Sequence, residues 1–283
     1  MHSCHPFLSC RDFIDVRIGK LIGIGAVKAV YHAKWKEYDV ALSVLNNPAF
    51  EDDFFTGAEN IRIFQHNPLT VQAVGFCDDE KMFLTEFHKN GDASKLMETL
   101  KEHPEVNDNS LLRINLCYVY ALILVSLHHP GHFTIGNPHL LPRVMCDSND
   151  LKKLLSQFLV TNDFSLILND MDAIPLVKNG GIKCGHKELK GDFVAPEQLW
   201  KLPGNFSDMK QPGYDEKTDI WKAPSVCNYF LGNVSDGNEI KKKLASIHKR
   251  CKALVPKDRP TAGDLAEVYM VIKATLNNST TNK

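Results

Sequence analysis

The sequence predicts an α+β chain of two lobes, a small strand-rich one followed by a larger helical one. Three observations carry that reading. Residues 14–45 alternate apolar and polar positions around a glycine pair, the pattern of antiparallel strands joined by turns. After Asn90-Gly91 the apolar spacing becomes helical, most strongly over 111–127, 240–251 and 262–276. The length, 283 residues, suits a single two-lobed unit that uses nearly all of the chain. Between the first strands and Asn90, a short helix is expected near 52–64 and two further strands over 70–76 and 81–87. The expected division is an N-terminal extension at 1–13, a folded unit at 14–276 split near residues 87 and 88, and a tail at 277–283. Two Gly- and Pro-rich segments, 129–142 and 201–213, read as insertions looping from the helical lobe.

Composition narrows the class. A net charge of -1 leaves no basic excess, so nucleic acid is not an expected partner. The longest apolar stretch, 116–127, carries two tyrosines and is too short to span a bilayer, so it reads as a buried helix. The first residues lack the charged and apolar regions of a signal peptide. Eight cysteines permit disulfides, and Cys4 and Cys10 are near enough in sequence to close a small loop. Glycan-acceptor tripeptides begin at Asn205, Asn233, Asn277 and Asn278, which favours the secretory pathway.

Val144-Met145-Cys146-Asp147, then Asn169-Asp170-Met171-Asp172, then Ala195-Pro196-Glu197 and Asp258-Arg259-Pro260 resemble, in order and spacing, the C-lobe motifs of protein kinases. The resemblance implies a bilobal protein-kinase-like fold. Asp147 then stands in the catalytic-loop slot, where a carboxylate orients the acceptor hydroxyl, with Met145 and Cys146 replacing the usual histidine and arginine. Asp150 is a rival for that role. Loss of the arginine implies activity that does not depend on a phosphorylated activation loop. Gln157 takes the place of the loop's metal-binding asparagine and keeps its amide oxygen. Asp170 occupies the metal-bridging aspartate position, and Asp172 replaces the following glycine, adding a second carboxylate. Glu197 is expected to pair with Arg259, and Asp219 to brace the catalytic loop from its helix.

In the first lobe, Gly23 and Gly25 sit in a strand-turn-strand where backbone amides can approach phosphate oxygens. Val40-Ala41-Leu42-Ser43 is the third-strand motif, yet Ser43 stands where a kinase carries its phosphate-binding lysine. Lys28, on the neighbouring strand, repairs that loss, as in with-no-lysine kinases. The helix position that normally supplies the lysine's glutamate falls near Gly57, which leaves Asp53 and Glu59 as candidate partners. Thr85, Glu86 and His88 resemble a gatekeeper and hinge that would hold a purine edge.

Residues 143–151, 169–173, 184–186, 191–200 and 214–217 together are similar to the vertebrate O-mannose kinase family, and the similarity runs over nearly all of the chain from Ile14. It implies ATP with Mg2+, or Mn2+, as cofactors. It implies phosphorylation of the C6 hydroxyl of an O-linked mannose within a GalNAc-GlcNAc-mannose trisaccharide on alpha-dystroglycan. It also implies a monomeric catalytic domain in the lumen of the endoplasmic reticulum, held to the membrane only by a type II anchor that this sequence does not include. Asp192 and Gln198 are candidates for the acceptor groove. Two other readings stand beside it: a pseudokinase that binds a glycan or a protein, motivated by Ser43, Gly57, Cys146 and Asp172, and a cytosolic with-no-lysine protein kinase.

Overall fold

The structure, a computed structural model, describes residues 6–132, 140–146, 148–185 and 187–281. Its first lobe is a five-stranded antiparallel sheet: β1 (Val16–Ile24), β2 (Lys28–Trp35), β3 (Tyr38–Leu45), β4 (Ala73–Cys77) and β5 (Met82–Glu86), in the order β1-β2-β3-β5-β4. The alternation read from sequence is a division between the two faces. Val40, Leu42 and Leu84 join Ala33, Trp35 and Val74 in a small core on one side, while Ser43 faces the other. The helix α1 (Glu51–Ile63) buries Phe54, Ala58 and Ile61 with Phe83 in the larger core. Three acidic residues in its first turn suit the positive end of its dipole.

The strand expected over 70–76 begins later, at Ala73, because residues 69–71 leave the sheet to pair with the second lobe. Val71 donates to the Leu168 carbonyl (2.9 Å), and Leu168 donates to Leu69 (2.8 Å). Those bonds join the sheet to the hairpin β6 (Phe158–Val160) and β7 (Leu166–Leu168).

The second lobe is built around α3 (Ser110–His128), which packs on α5 (Lys217–Leu231) and α7 (Ala262–Thr281). Asn109 caps α3 by accepting from the Leu112 amide (3.0 Å). The helix is longer than the apolar stretch suggested and is long and apolar enough to cross a membrane, but most of it is buried inside this lobe, so it is a core helix. The lobe also holds the short α2 (Leu96–Glu102) and α6 (Gly237–Cys251), the latter packing on α5 and α7. Disulfides join Cys10 to Cys77 in the first lobe and Cys117 on α3 to Cys227 on α5. The Cys4–Cys10 loop does not form, since the chain returns along β4 and brings Cys77 to Cys10; Cys4 itself lies outside the described residues. Asn205, Asn233, Asn277 and Asn278 are all exposed.

One buried group sets an acid limit on this fold. His248 on α6 is buried against the Tyr269 hydroxyl (2.8 Å), and burial, helped by Lys252, lowers its pKa to about 4. A depressed histidine binds protons more readily when unfolded. Its contribution is therefore complete above pH 6.5 and is lost as the pH falls toward 4. The gap corresponds to about 3 kcal/mol, so denaturant midpoints should fall across that window and the fall should be shallower in His248→Gln. An identical slope in the variant would remove His248 as its source.

Candidate active site

The chemistry-bearing side chains meet where the sheet faces the second lobe. A tight turn joins β1 to β2: the Gly25 amide donates to Lys28 O (2.9 Å), and Asn46 pins it through its amide nitrogen on Gly25 O (2.8 Å). Gly23 pairs with Val30 across the ribbon. In the β2–β3 register Lys28 faces Leu45 and Val30 faces Ser43, so Lys28 and Ser43 lie on one face of the sheet, two residues apart along it. A lysine stem spans that distance. The ammonium missing from β3 is thus delivered into the same cleft from β2.

Lys28 Nζ donates to Asp170 Oδ1 and to Asp172 Oδ2 (2.8 Å). Neither Asp53 nor Glu59 pairs with it, which corrects the sequence expectation. Both are exposed on α1, and Glu59 lies 3.7 Å from Arg62 instead. Gly57 explains the change. A Cβ there would lie 3.1 Å from Asp172 Cβ and 3.2 Å from its amide nitrogen, so the vacant side-chain position on α1 is filled by Asp172. The helix has lost its carboxylate and the Asp170-Met171-Asp172 segment has gained one, on the same side of the same lysine.

The helix is held to that segment. Asn60 Nδ2 donates to Met171 O (2.9 Å), and Arg143 Nη1 donates to Asn60 Oδ1 (2.7 Å). Burial alone would lower the Lys28 pKa, but Asp170 and Asp172 outweigh it and hold it above the usual lysine range. Burial pushes Asp170 up, yet Lys28 wins and keeps that carboxylate below its ordinary value. Burial carries Asp172 up to about 6, with Lys28 pulling against it and Asp170 pushing with it. Two carboxylates facing one ammonium leave a negative surplus, the donor chemistry a hard divalent cation requires.

Gln157 is buried beside this pair. Its backbone carbonyl accepts from the amides of Asn169 (2.9 Å) and Asp170 (3.2 Å), and its Nε2 donates to Lys153 O (3.0 Å). The extra length between Asp147 and Gln157 is a short helix, α4 (Leu151–Leu155), capped by Asp150 on the Lys153 amide (2.9 Å). Asp150, the rival carboxylate, thus serves as the N-cap of this helix.

Asp147 lies outside the described residues, but the residues on either side do not. Met145 N donates to Asp219 Oδ2 (3.3 Å), and Cys146 is joined by a disulfide to Cys184 of the segment between Asp172 and Glu197. Arg259 holds both Glu197 oxygens (2.5 and 2.7 Å). Both expected braces, Asp219 and the Glu197–Arg259 pair, are present.

At the expected hinge Thr85 is buried. The Glu86 amide donates to Gln72 O (3.0 Å), and its carboxylate accepts from Gln72 N (3.1 Å) and lies 3.3 Å from His88 Nε2. The Glu86 side chain and amide are thus committed to the protein. Gln198, a groove candidate, is buried and accepts from the Ala195 amide (3.2 Å), whereas Asp192 is exposed. Two features escaped the sequence reading. The pairing of Asp172 with Lys28 left one signal, the joint departures at Gly57 and Asp172, which did not show that the two positions meet. The Cys146–Cys184 bridge was signalled only by a cysteine standing in the arginine slot.

A scan against protein-family models finds no match for the chain. Curated relatives are clear. The chain is similar to protein O-mannose kinase of Homo sapiens, 43% identical over 99% of this chain and 79% of the relative. It is also similar to the proteins of the same name from Gallus gallus (40% identical, 94% and 75% covered) and Xenopus laevis (40% identical, 97% and 77% covered). Identity at this level over both chains agrees with the two-lobed fold, the relocated lysine and the preserved braces: the chain belongs to the protein O-mannose kinase family.

Proposed function

We propose that this protein transfers the γ-phosphoryl group of ATP to the C6 hydroxyl of mannose in a GalNAc-GlcNAc-mannose trisaccharide carried by alpha-dystroglycan. The observation that carries the reading is Lys28, brought from β2 onto Asp170 and Asp172 in a chain whose relatives bear the name protein O-mannose kinase. Lys28 would bind the nucleotide phosphates, positioned by its two carboxylates, and the Gly23 and Gly25 turn would lie over them. The backbone of the Glu86–His88 segment would hold the adenine. Asp147 would orient the sugar hydroxyl and accept its proton.

Asp170 and the amide oxygen of Gln157 would hold Mg2+, or Mn2+ in its place, and the surplus negative charge beside Lys28 fits such an ion. When bound, the cation neutralises charge developing on the transferred group. The acceptor is a primary alcohol, chemically like serine, so the same constellation suits a sugar. Labelled ATP, Mg2+ and the synthetic trisaccharide, tested beside free mannose and a peptide mixture, decide the matter. Transfer to the trisaccharide that disappears in Asp147→Ala is expected. Tight trisaccharide binding without transfer would favour the pseudokinase reading, for which Ser43 and Gly57 speak.

We also propose that the domain works in the lumen of the endoplasmic reticulum. The three disulfides among the described residues support an oxidising compartment, and exposed acceptor asparagines support contact with the glycosylation machinery. Peptide-N-glycosidase treatment of protein made in a secretory host should shift its mass by whole glycans. A mass unaltered by the enzyme would count against lumenal residence.

A further inference from the structure

Lys222 lies on α5 one turn after Asp219, and its side chain is 1% exposed. Among the described residues no carboxylate pairs with it. Its Nζ instead donates to the hydroxyl of Ser148 (2.6 Å), which is itself fully buried. Asp219 and Glu197 act on the ammonium only from farther away, and burial lowers its pKa. An ammonium sunk in a protein core without an ion-pair partner is costly, and an apolar side chain of similar length would serve packing as well or better. Stability therefore gives no reason for the charge.

The place it touches gives one. Ser148 Oγ receives the ammonium hydrogen bond and donates its own proton to Met145 O (2.5 Å), while Asp219, on the same face of α5, accepts from the Met145 amide (3.3 Å). The Ser148 amide also closes on Cys146 O (2.8 Å). Met145, Cys146 and Ser148 are thus fastened at one point by Asp219, at a second by Lys222 and at a third by the Cys146–Cys184 disulfide. Asp147 follows Cys146 and precedes Ser148 in the sequence.

We infer that Lys222 is a positioning residue for phosphoryl transfer: its ammonium fixes Ser148, and through Ser148 and its bonds to Met145 and Cys146 it holds the chain on either side of Asp147, the residue proposed to meet the acceptor hydroxyl. The inference rests on the phosphotransferase reading above and deepens it. A positioning error near the reacting atoms affects the transition state more than substrate binding, so kcat should fall while KM stays.

The test compares wild type with Lys222→Met, which keeps the stem and removes the charge. A kcat lowered about tenfold or more, with KM for ATP and trisaccharide within about twofold and an undiminished Tm, is expected. Hydrogen exchange of the peptide covering residues 145–148 should quicken in the same variant. An unchanged kcat with unchanged exchange overturns the inference, as does a rise in KM at constant kcat. Should Lys222→Met fold poorly, Ser148→Ala carries the question, because it removes the link and keeps the lysine: it should reproduce the kcat loss, and a fully active Ser148→Ala would overturn the inference. If wild type transfers no phosphate, the functional reading is what has failed, and hydrogen exchange alone then judges Lys222: unaltered protection in the variants rejects it.

Discussion

Lys28→Met should lower kcat/KM for phosphoryl transfer by about a thousandfold, the upper range for deleting one preorganised charge in a desolvated site. The lysine is largely buried, and both Asp170 and Asp172 would be left facing each other without their common partner. Restoring a lysine at Ser43 should recover part of the loss, because Ser43 lies on the same face of the sheet. The carboxylate exchange makes a sharper demand. Asp172→Gly should cost activity at least about tenfold, since the ammonium then loses one of its two anchors. Adding Gly57→Glu to that variant should regain part of it, because removing the Asp172 side chain takes away its Cβ contact at 3.1 Å and leaves the Asp172 Cα and amide nitrogen, each at 3.2 Å, to give way slightly. In the wild-type background the same Gly57→Glu should instead destabilise the fold by about 1–3 kcal/mol through overpacking against Asp172. Full activity in Asp172→Gly would sink the exchange; so would a double variant no better than the single one.

That exchange also shows where sequence reading succeeds and where it stops. Lys28 was legible because a strand register of period two is local: once β2 and β3 form a hairpin, the face that Lys28 shares with Ser43 is fixed. Asp219, Glu197 and Arg259 were legible because their spacing follows a known pattern and their partners lie within one lobe. The partner of Lys28 was not, because it comes from a segment 144 residues away and takes the place of a helix carboxylate from across the cleft. Helix periodicity pointed to Asp53 and Glu59, which are neighbours of Gly57 in sequence, yet a position on α1 can be filled from across the cleft. The strand expected at 70–76 erred for a related reason. Its first residues have the apolar composition of a strand, but they spend their hydrogen bonds on Leu168 and thereby join the lobes. Cys10 likewise found Cys77 rather than its neighbour in sequence.

Cys146→Ser with Cys184→Ser should reduce kcat by about a hundredfold, the loss expected when a reacting group is displaced by about an ångström, while KM for ATP changes little. Cys146 is bonded to Asp147 in the chain, and Cys184 lies in the segment between Asp172 and Glu197, so this bridge ties the proposed catalytic loop covalently to that segment. In kinases with an arginine at this place, the same two segments are brought together by a phosphorylated residue that the arginine captures. Here the cysteine has taken the arginine's slot, and the connection needs no phosphorylation to form. The bridge closes a loop spanning 38 residues, and its removal should cost about 4 kcal/mol by chain entropy, so Tm must be measured beside kcat. Cys10→Ser with Cys77→Ser is the control, because that bridge lies in the first lobe away from Asp170. It should lower Tm by a comparable amount and leave kcat nearly intact. If both pairs lose activity only in proportion to Tm, the Cys146–Cys184 bridge is a staple of the fold and nothing more. If only the Cys146–Cys184 variant loses kcat at a temperature where both are folded, the disulfide is what keeps the catalytic loop and its neighbouring segment in register without a phosphate.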